Sequence, residues 1–151
     1  MGKMVKEVEF GPKAQISLLD GFTFLDKISY DAYNESGELK RSLKAYGERF
    51  GKLPEEVTAD RIYGTCWNRK FLKRIEIEGT FQPLGRAALS ADKCKEVRKA
   101  QRERSRIEGV IGWGKNKYQL DKVRYRIPDG AEMWVRMGLV GMNLTVALKR
   151  I

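Results

Sequence analysis

The sequence of 151 residues contains no histidine and only two cysteines. The absence of histidine excludes Ser-His-Asp and Cys-His catalysis by this chain, and it excludes a histidine-ligated zinc site. Cys66 and Cys94 have neither metal-site spacing nor a disulfide framework, which is typical of a protein from a reducing cytosol. Any catalysis must therefore use carboxylates, lysine, tyrosine or a metal ion.

The sequence also lacks a signal peptide and a run of about 18 apolar residues, so we expect no membrane span. Its length is sufficient for one ordinary hydrophobic core, and its composition does not indicate a second domain. We therefore expect residues 1–151 to form one domain or a part of one.

Positive charge is the main feature that is present. The net charge is +10, and residues 91–126 carry twelve Lys and Arg against five Asp and Glu. This clustering favours nucleic acid as a partner, although a solvated basic helix is the common alternative. Glu108 lies among these cations, where it would repel phosphate. If Glu108 held a metal ion and the cations around it held phosphates, this would explain why a carboxylate occurs among basic residues.

Hydrophobic periodicity predicts an α/β chain in the order strand, strand, helix, strand, helix, strand, long helix, helix. Residues 5–10 alternate like a short strand, and two apolar runs flank the hairpin turn Asp20-Gly21. Further elements are predicted from helix and strand signals. They are a helix at 35–51 with Ser36 as a candidate cap and Gly51 as its stop, a strand at 55–60, a helix at 65–74 capped by Thr65, a strand at 74–81, a loop at 82–90, a basic helix from Ala91 towards Glu108, and an apolar helix at 132–151.

Asp60 ends one of the predicted strands, and mixed sheets collect ligands at the carboxyl ends of their strands. A carboxylate there can meet a second carboxylate from a helix packed across the sheet. Such a pair can bind Mg²⁺, which prefers oxygen ligands and leaves room for a substrate phosphate. A cap or turn role before Arg61 is the alternative, and it is the commoner role for an aspartate in this position.

Several ordered blocks resemble the carboxyl-terminal half of a DDE transposase from bacterial insertion sequences, of the insertion-sequence-five type. They are FGPKAQISLLDGFTFLDKISYDAYNESGELK, YGERFGKLPEEVTADRIYGTCWNRKFLK, PLGR and RSRIEGVIGWGKNKYQLDKV, and together they span nearly the whole chain. The resemblance implies a ribonuclease H-like α/β fold, a mixed sheet with flanking helices. In that fold the second catalytic Asp ends a strand and the catalytic Glu lies on a later helix, and the matching positions are Asp60 and Glu108.

The resemblance further implies that Asp60 and Glu108 bind Mg²⁺ or Mn²⁺. The complete enzyme would cut and join DNA strands by two-metal phosphoryl transfer during transposition of an insertion sequence. DNA, as transposon ends and target, and other transposase subunits are the implied partners, in a bacterial cytoplasm and in association with the nucleoid. Transposases of this class have a Tyr-Arg-Glu-Lys pattern, which Arg104 and Lys115 match, whereas Gln101 replaces the tyrosine. The expected DNA-binding residues are Arg102, Arg104, Arg106, Lys115 and Lys117.

The glycines near Glu108 weaken a straight helix, so we expect a kink or an early helix end near Gly112. Trp113 and Tyr118 have two candidate roles, packing in the core and stacking on DNA bases. Packing is the role we favour.

In the resembled enzymes the first catalytic Asp lies upstream of the block that begins here near Val8. We therefore expect an incomplete triad and a sheet that lacks its first central strand, with an exposed edge that favours self-association. Asp20 has a turn role, and surface or capping roles are expected for Asp26 and Asp31. The alternative function is a non-catalytic basic module that binds DNA or a transposase subunit.

Overall fold

The computed structural model describes residues 12–81, 91–124, 127 and 129–151. The predicted strand at 5–10 and the predicted loop at 82–90 lie outside these residues. The order of strands and helices is the predicted one. The elements are β1 (Lys13–Leu19), β2 (Phe22–Ser29), α1 (Leu39–Phe50), β3 (Glu56–Thr58), α2 (Cys66–Arg74), β4 (Glu78–Thr80), α3 (Ala91–Tyr118) and α4 (Gly130–Leu148), with short 3-10 helices at Glu35–Glu38 and Arg61–Tyr63.

β1 and β2 form the predicted antiparallel hairpin. Its turn residues Asp20 and Gly21 have φ angles of 50° and 85°, as a two-residue turn that matches the strand twist requires. Asp26 does not have the surface role that we expected. Its side chain is only 2% exposed, because Arg49 on α1 binds its carboxylate at 2.8 Å.

Residues at the ends of α1 and α2 determine where these helices begin and end. Thr65 caps α2 by accepting a hydrogen bond from the Asn68 backbone N–H, and Gly51 ends α1 with a φ of 71°, both as predicted. The prediction for Ser36 is wrong. Asn34 caps the preceding 3-10 helix instead, because its side chain accepts a hydrogen bond from the Ser36 backbone N–H.

The four described strands form two separate two-stranded sheets, not the single mixed sheet that we expected. β1 pairs with β2 antiparallel, and β3 pairs with β4 in parallel. Each strand therefore has a strand partner on one edge only within the described residues.

The hydrophobic core has two clusters. The first joins α1 and α2 to the two residues that flank β4, and its buried members are Leu39, Leu43, Leu72, Ile77 and Phe81. The second joins α4 to the hairpin and to the end of α3; its buried residues are Val135, Leu139 and Met142, with Ile16, Leu25, Trp113 and Tyr118 packed against them. None of the helices in the described part of the chain is long and apolar enough to cross a membrane.

Trp113 and Tyr118 pack in the second cluster, in agreement with the packing role. Their rings meet edge to face at 5.3 Å, and the Tyr118 hydroxyl donates a hydrogen bond to the Gly141 carbonyl at 3.0 Å. α3 runs to Tyr118 without the early end that we expected near Gly112. Packing explains this difference: Gly114 is buried, and a Cβ there would lie 2.9 Å from the Met142 sulfur of α4.

Asn68 is the fully buried polar residue that connects the two 3-10 helices. Its side-chain amide donates to the carbonyls of Ser36 and Tyr63, each at 2.8 Å. We expect Asn68→Leu to lower the free energy of unfolding by about 2 kcal/mol or more, because two partly buried carbonyls lose their donors. Urea denaturation measures this change. Asn116→Leu, on the exposed face of α3, is the matched control, and equal stability of the two variants would contradict the connecting role.

Candidate functional site

Two ion pairs fix α3 along β3. Lys99 binds the Glu56 carboxylate at the start of the strand, at 2.8 and 3.0 Å. Arg104 contacts Asp60 beyond the end of the strand, with Nη1 at 3.3 Å from Oδ1. Because the later helix residue meets the later strand residue, α3 and β3 run in the same direction. The helix turn after Arg104, which carries Glu108, therefore lies beyond the carboxyl end of β3.

The contact between Lys99 and Glu56 also includes β4, since the Thr80 hydroxyl donates to Glu56 at 2.9 Å. The hydrogen bond from Lys99 lowers the pKa of the Glu56 carboxyl, and the same bond raises the pKa of Lys99. Both groups are therefore charged at neutral pH. Sequence reasoning missed this pair because its two residues are 43 positions apart and neither belongs to a motif.

Asp60 has the cap role that the sequence left open as an alternative, and it also lies close to the predicted strand end. β3 ends at Thr58, two residues earlier than predicted, so Asp60 lies just past the carboxyl end of the strand. Its Oδ1 accepts a hydrogen bond from the Arg61 backbone N–H at 2.6 Å, which caps the following 3-10 helix. About half of the side chain, 52%, remains exposed. The cap fixes the carboxylate in position and still leaves it accessible to a ligand.

Arg104 joins the two predicted catalytic carboxylates. Its Nε donates to Glu108 at 2.9 Å, one helix turn away, while Nη1 of the same guanidinium contacts Asp60. Asp60 and Glu108 therefore face one small space, although 48 positions separate them in the sequence. A single positive charge lies between two carboxylates there. A divalent cation would satisfy the same pair of charges.

The donor set fits part of a magnesium site. Mg²⁺ is commonly held by one or two protein carboxylates and completes its shell with water and substrate phosphate oxygens. Asp60 and Glu108 are donors of this type, and Glu108 is 58% exposed. Across the described residues, however, no group of three or more His, Cys, Asp or Glu could hold a metal ion. A third protein ligand, if one is used, comes from outside these residues.

The predicted DNA-binding residues of α3 divide between two faces of the helix. Lys115 follows Glu108 by seven residues and therefore lies on the same side of the helix as Glu108 and Arg104. The other three, Arg102, Arg106 and Lys117, point more than about 100° away from Glu108 around the helix axis. Arg106 approaches Glu103 at 3.9 Å, whereas Arg102, Lys115 and Lys117 form no ion pair within the described residues. These three basic side chains are therefore available to bind DNA phosphate.

Comparison with known proteins identifies one family over this part of the chain. A family model described as a transposase DDE domain matches residues 57–145. The match covers more than half of the chain and includes Asp60, Arg104, Glu108 and Lys115. No curated protein and no solved structure matches the sequence.

Proposed function

Because the chain belongs to the transposase DDE domain family, we propose that it carries part of the catalytic site of a transposase of the insertion-sequence-five type. DNA is the partner that the family implies. The observation that supports this function best is the contact of one Arg104 guanidinium with both Asp60 and Glu108. The two carboxylates that the resemblance selects from distant parts of the sequence share one space in the fold.

In this proposal Asp60 and Glu108 donate carboxylate oxygens to Mg²⁺ or Mn²⁺. The bound ion would supply Lewis-acid activation for phosphoryl transfer between DNA strands. The Asp60 cap and the helical position of Glu108 hold the two carboxylates in place before any ligand arrives. Arg104 neutralises them in the absence of a cation, and Lys115 binds DNA phosphate on the same face of α3.

The proposed site needs a further carboxylate from outside the described residues. Two metal ions are commonly held about 4 Å apart, and their mutual repulsion calls for a ligand shared between them. Asp20 and Asp26 are poor substitutes, because Asp20 forms the hairpin turn and Asp26 is buried against Arg49. We propose that a further strand carries this carboxylate and joins the two strand pairs into one ribonuclease H-like sheet. The chain would then be a partial catalytic domain.

A second candidate function is a non-catalytic basic module that binds DNA or another transposase subunit. The absence of a three-ligand group within the described residues favours it. Both functions predict DNA binding. Only the first predicts that Asp60 and Glu108 bind a divalent cation together.

DNA binding by the chain is expected to be weak, to show little sequence preference and to fall steeply with salt. The slope of log K against log salt should be roughly −0.9 for each phosphate neutralised on duplex DNA. Lys115→Ala should therefore make the slope less steep by about 1, because Lys115 has no ion pair in the described part of the chain and is free to contact phosphate. Fluorescence anisotropy at several salt concentrations measures this slope.

The control for this experiment is Lys44→Ala on α1, where Lys44 lies 3.7 Å from Glu48 and away from α3. It should leave the slope unchanged. Binding that is insensitive to salt, or strong selectivity for one sequence, would show that the basic helix is not the main DNA contact.

A further inference from the structure

Trp67 on α2 is open to solvent, which is unusual for the residue type with the largest side chain. It is 53% exposed, whereas the other two tryptophans, which include the stacking candidate Trp113, are half-buried. The Trp67 ring lies nearly parallel to the Phe71 ring, with 5.7 Å between the ring centres. The Lys40 ammonium of α1 lies 4.2 Å from the centre of the Trp67 ring and 4.9 Å from that of Phe71. We call Lys40, Trp67 and Phe71 the aromatic platform.

The surface around the aromatic platform is positively charged. α2 contains no Asp or Glu, and Lys70 and Arg74 follow Trp67 by three and seven residues on the same side of the helix. Both are exposed and form no ion pair with the described residues. An apolar segment of the same fold would bury these charges without a counter-charge, at a large cost in free energy. The partner that fits this surface therefore carries negative charge as well as flat groups that stack.

We propose that the aromatic platform binds an unpaired strand of nucleic acid, with a base stacked on Trp67. Phosphates on either side of this base contact Lys40, Lys70 and Arg74. Stacking accepts any base, because every base has a π face, and basic side chains follow the backbone without reading the sequence. Trp67 is more than half exposed with the Lys40 ammonium in place, so a base has room on the ring. The choice of DNA as this nucleic acid rests on the proposed function.

The aromatic platform is near the candidate metal site but separate from it. α2 follows the carboxyl end of β3 after one 3-10 helix. Trp67 comes seven residues after Asp60, so the two are at most about 25 Å apart. One DNA molecule can therefore contact both places. The platform holds a strand that has separated from its complement, and it takes no part in binding the metal ion.

Fluorescence anisotropy of a labelled oligothymidylate of about 12 nucleotides, titrated with the full chain, tests the proposal. EDTA is present, so that metal binding contributes nothing. Trp67→Ala should weaken the binding about 10-fold or more, because a stacked base loses its ring. Trp67→Phe keeps a π face and should retain most of the affinity. Met133→Ala, at an exposed apolar position on α4, is the matched control and should bind like the unaltered chain. Circular dichroism verifies that all three variants are folded.

Two further ligands separate stacking from charge. Trp67→Ala should leave the affinity for a duplex of the same length unchanged, and likewise that for an abasic oligonucleotide, because neither offers a free base. Equal affinity of Trp67→Ala and the unaltered chain for oligothymidylate would overturn the platform, while continued duplex binding would leave the proposed function standing. Conversely, absence of duplex binding with Trp67-dependent binding of oligothymidylate retained would count against the proposed function alone. Binding of polyglutamate that depends equally on Trp67 would overturn the platform in favour of an acidic protein partner, and tighter binding of oligouridylate would overturn the choice of DNA.

Discussion

Cleavage of DNA strands is expected to fall about 100-fold or more when Glu108 is replaced by Gln, because removal of a metal-binding carboxylate costs several kcal/mol of transition-state stabilisation. The preparation that should show this loss is the chain mixed with a polypeptide that supplies the third carboxylate, such as the amino-terminal half of a full-length family member. Gln keeps the size and hydrogen bonding of Glu but removes its charge. Asp60→Asn should have the same effect.

The unaided chain is expected to show no more than vestigial nicking of supercoiled DNA with Mg²⁺ or Mn²⁺. Glu103→Gln is the matched control, since Glu103 lies on α3 but approaches Arg106 instead of Arg104. It should leave the restored activity unchanged. Restored cleavage that survives both Asp60→Asn and Glu108→Gln would contradict the site. Robust cleavage by the chain alone would show that the third carboxylate is already present in it.

The largest loss of stability is expected from Leu72→Ala. Leu72 is 1% exposed and lies at the centre of the first core cluster. β4 packs directly on it, because a Cβ added at Gly79 would be only 2.6 Å from a Leu72 methyl group. Truncation in such a tightly packed place leaves a cavity that the backbone of β4 cannot easily fill. We expect the free energy of unfolding to fall by about 3–5 kcal/mol, measured by urea denaturation.

Leu53→Ala is the control for that experiment, since Leu53 is an exposed leucine between α1 and β3. Its effect should stay below about 1 kcal/mol. A loss below about 1 kcal/mol in Leu72→Ala would contradict the tight packing of Leu72 against β4 in the first cluster.

Local chemistry explains the parts of the fold that could be predicted. Asp20-Gly21, Gly51 and Thr65 act through their own backbone preferences or through hydrogen bonds to near neighbours, so their roles can be inferred from a few residues. The role of Gly112 could not be inferred in this way. Its low helix propensity suggested an early helix end, but packing against α4 continues α3 to Tyr118.

Contacts between distant residues explain the parts that could not be predicted. The parallel pairing of β3 with β4, and the ion pair of Lys99 with Glu56, join residues more than 20 positions apart. The family resemblance identified Asp60 and Glu108. The distance between them in the sequence did not show that one guanidinium would contact both carboxylates. Arg104 was predicted only as a DNA-binding residue. Its contacts with both acids appear only when α3 is placed along β3.

The most direct test of the central claim, that Asp60 and Glu108 share one cation, is broadening of backbone amide NMR signals by Mn²⁺. Trace Mn²⁺ should broaden the signals of residues 60–61 and 107–109 together, before any others, and excess Mg²⁺ should reverse the effect because both ions prefer the same oxygen ligands. Glu108→Gln should remove the broadening at residues 60–61 as well as at residues 107–109. Broadening confined to another acidic position such as Glu78, or loss at only one of the two segments in Glu108→Gln, would contradict a shared site.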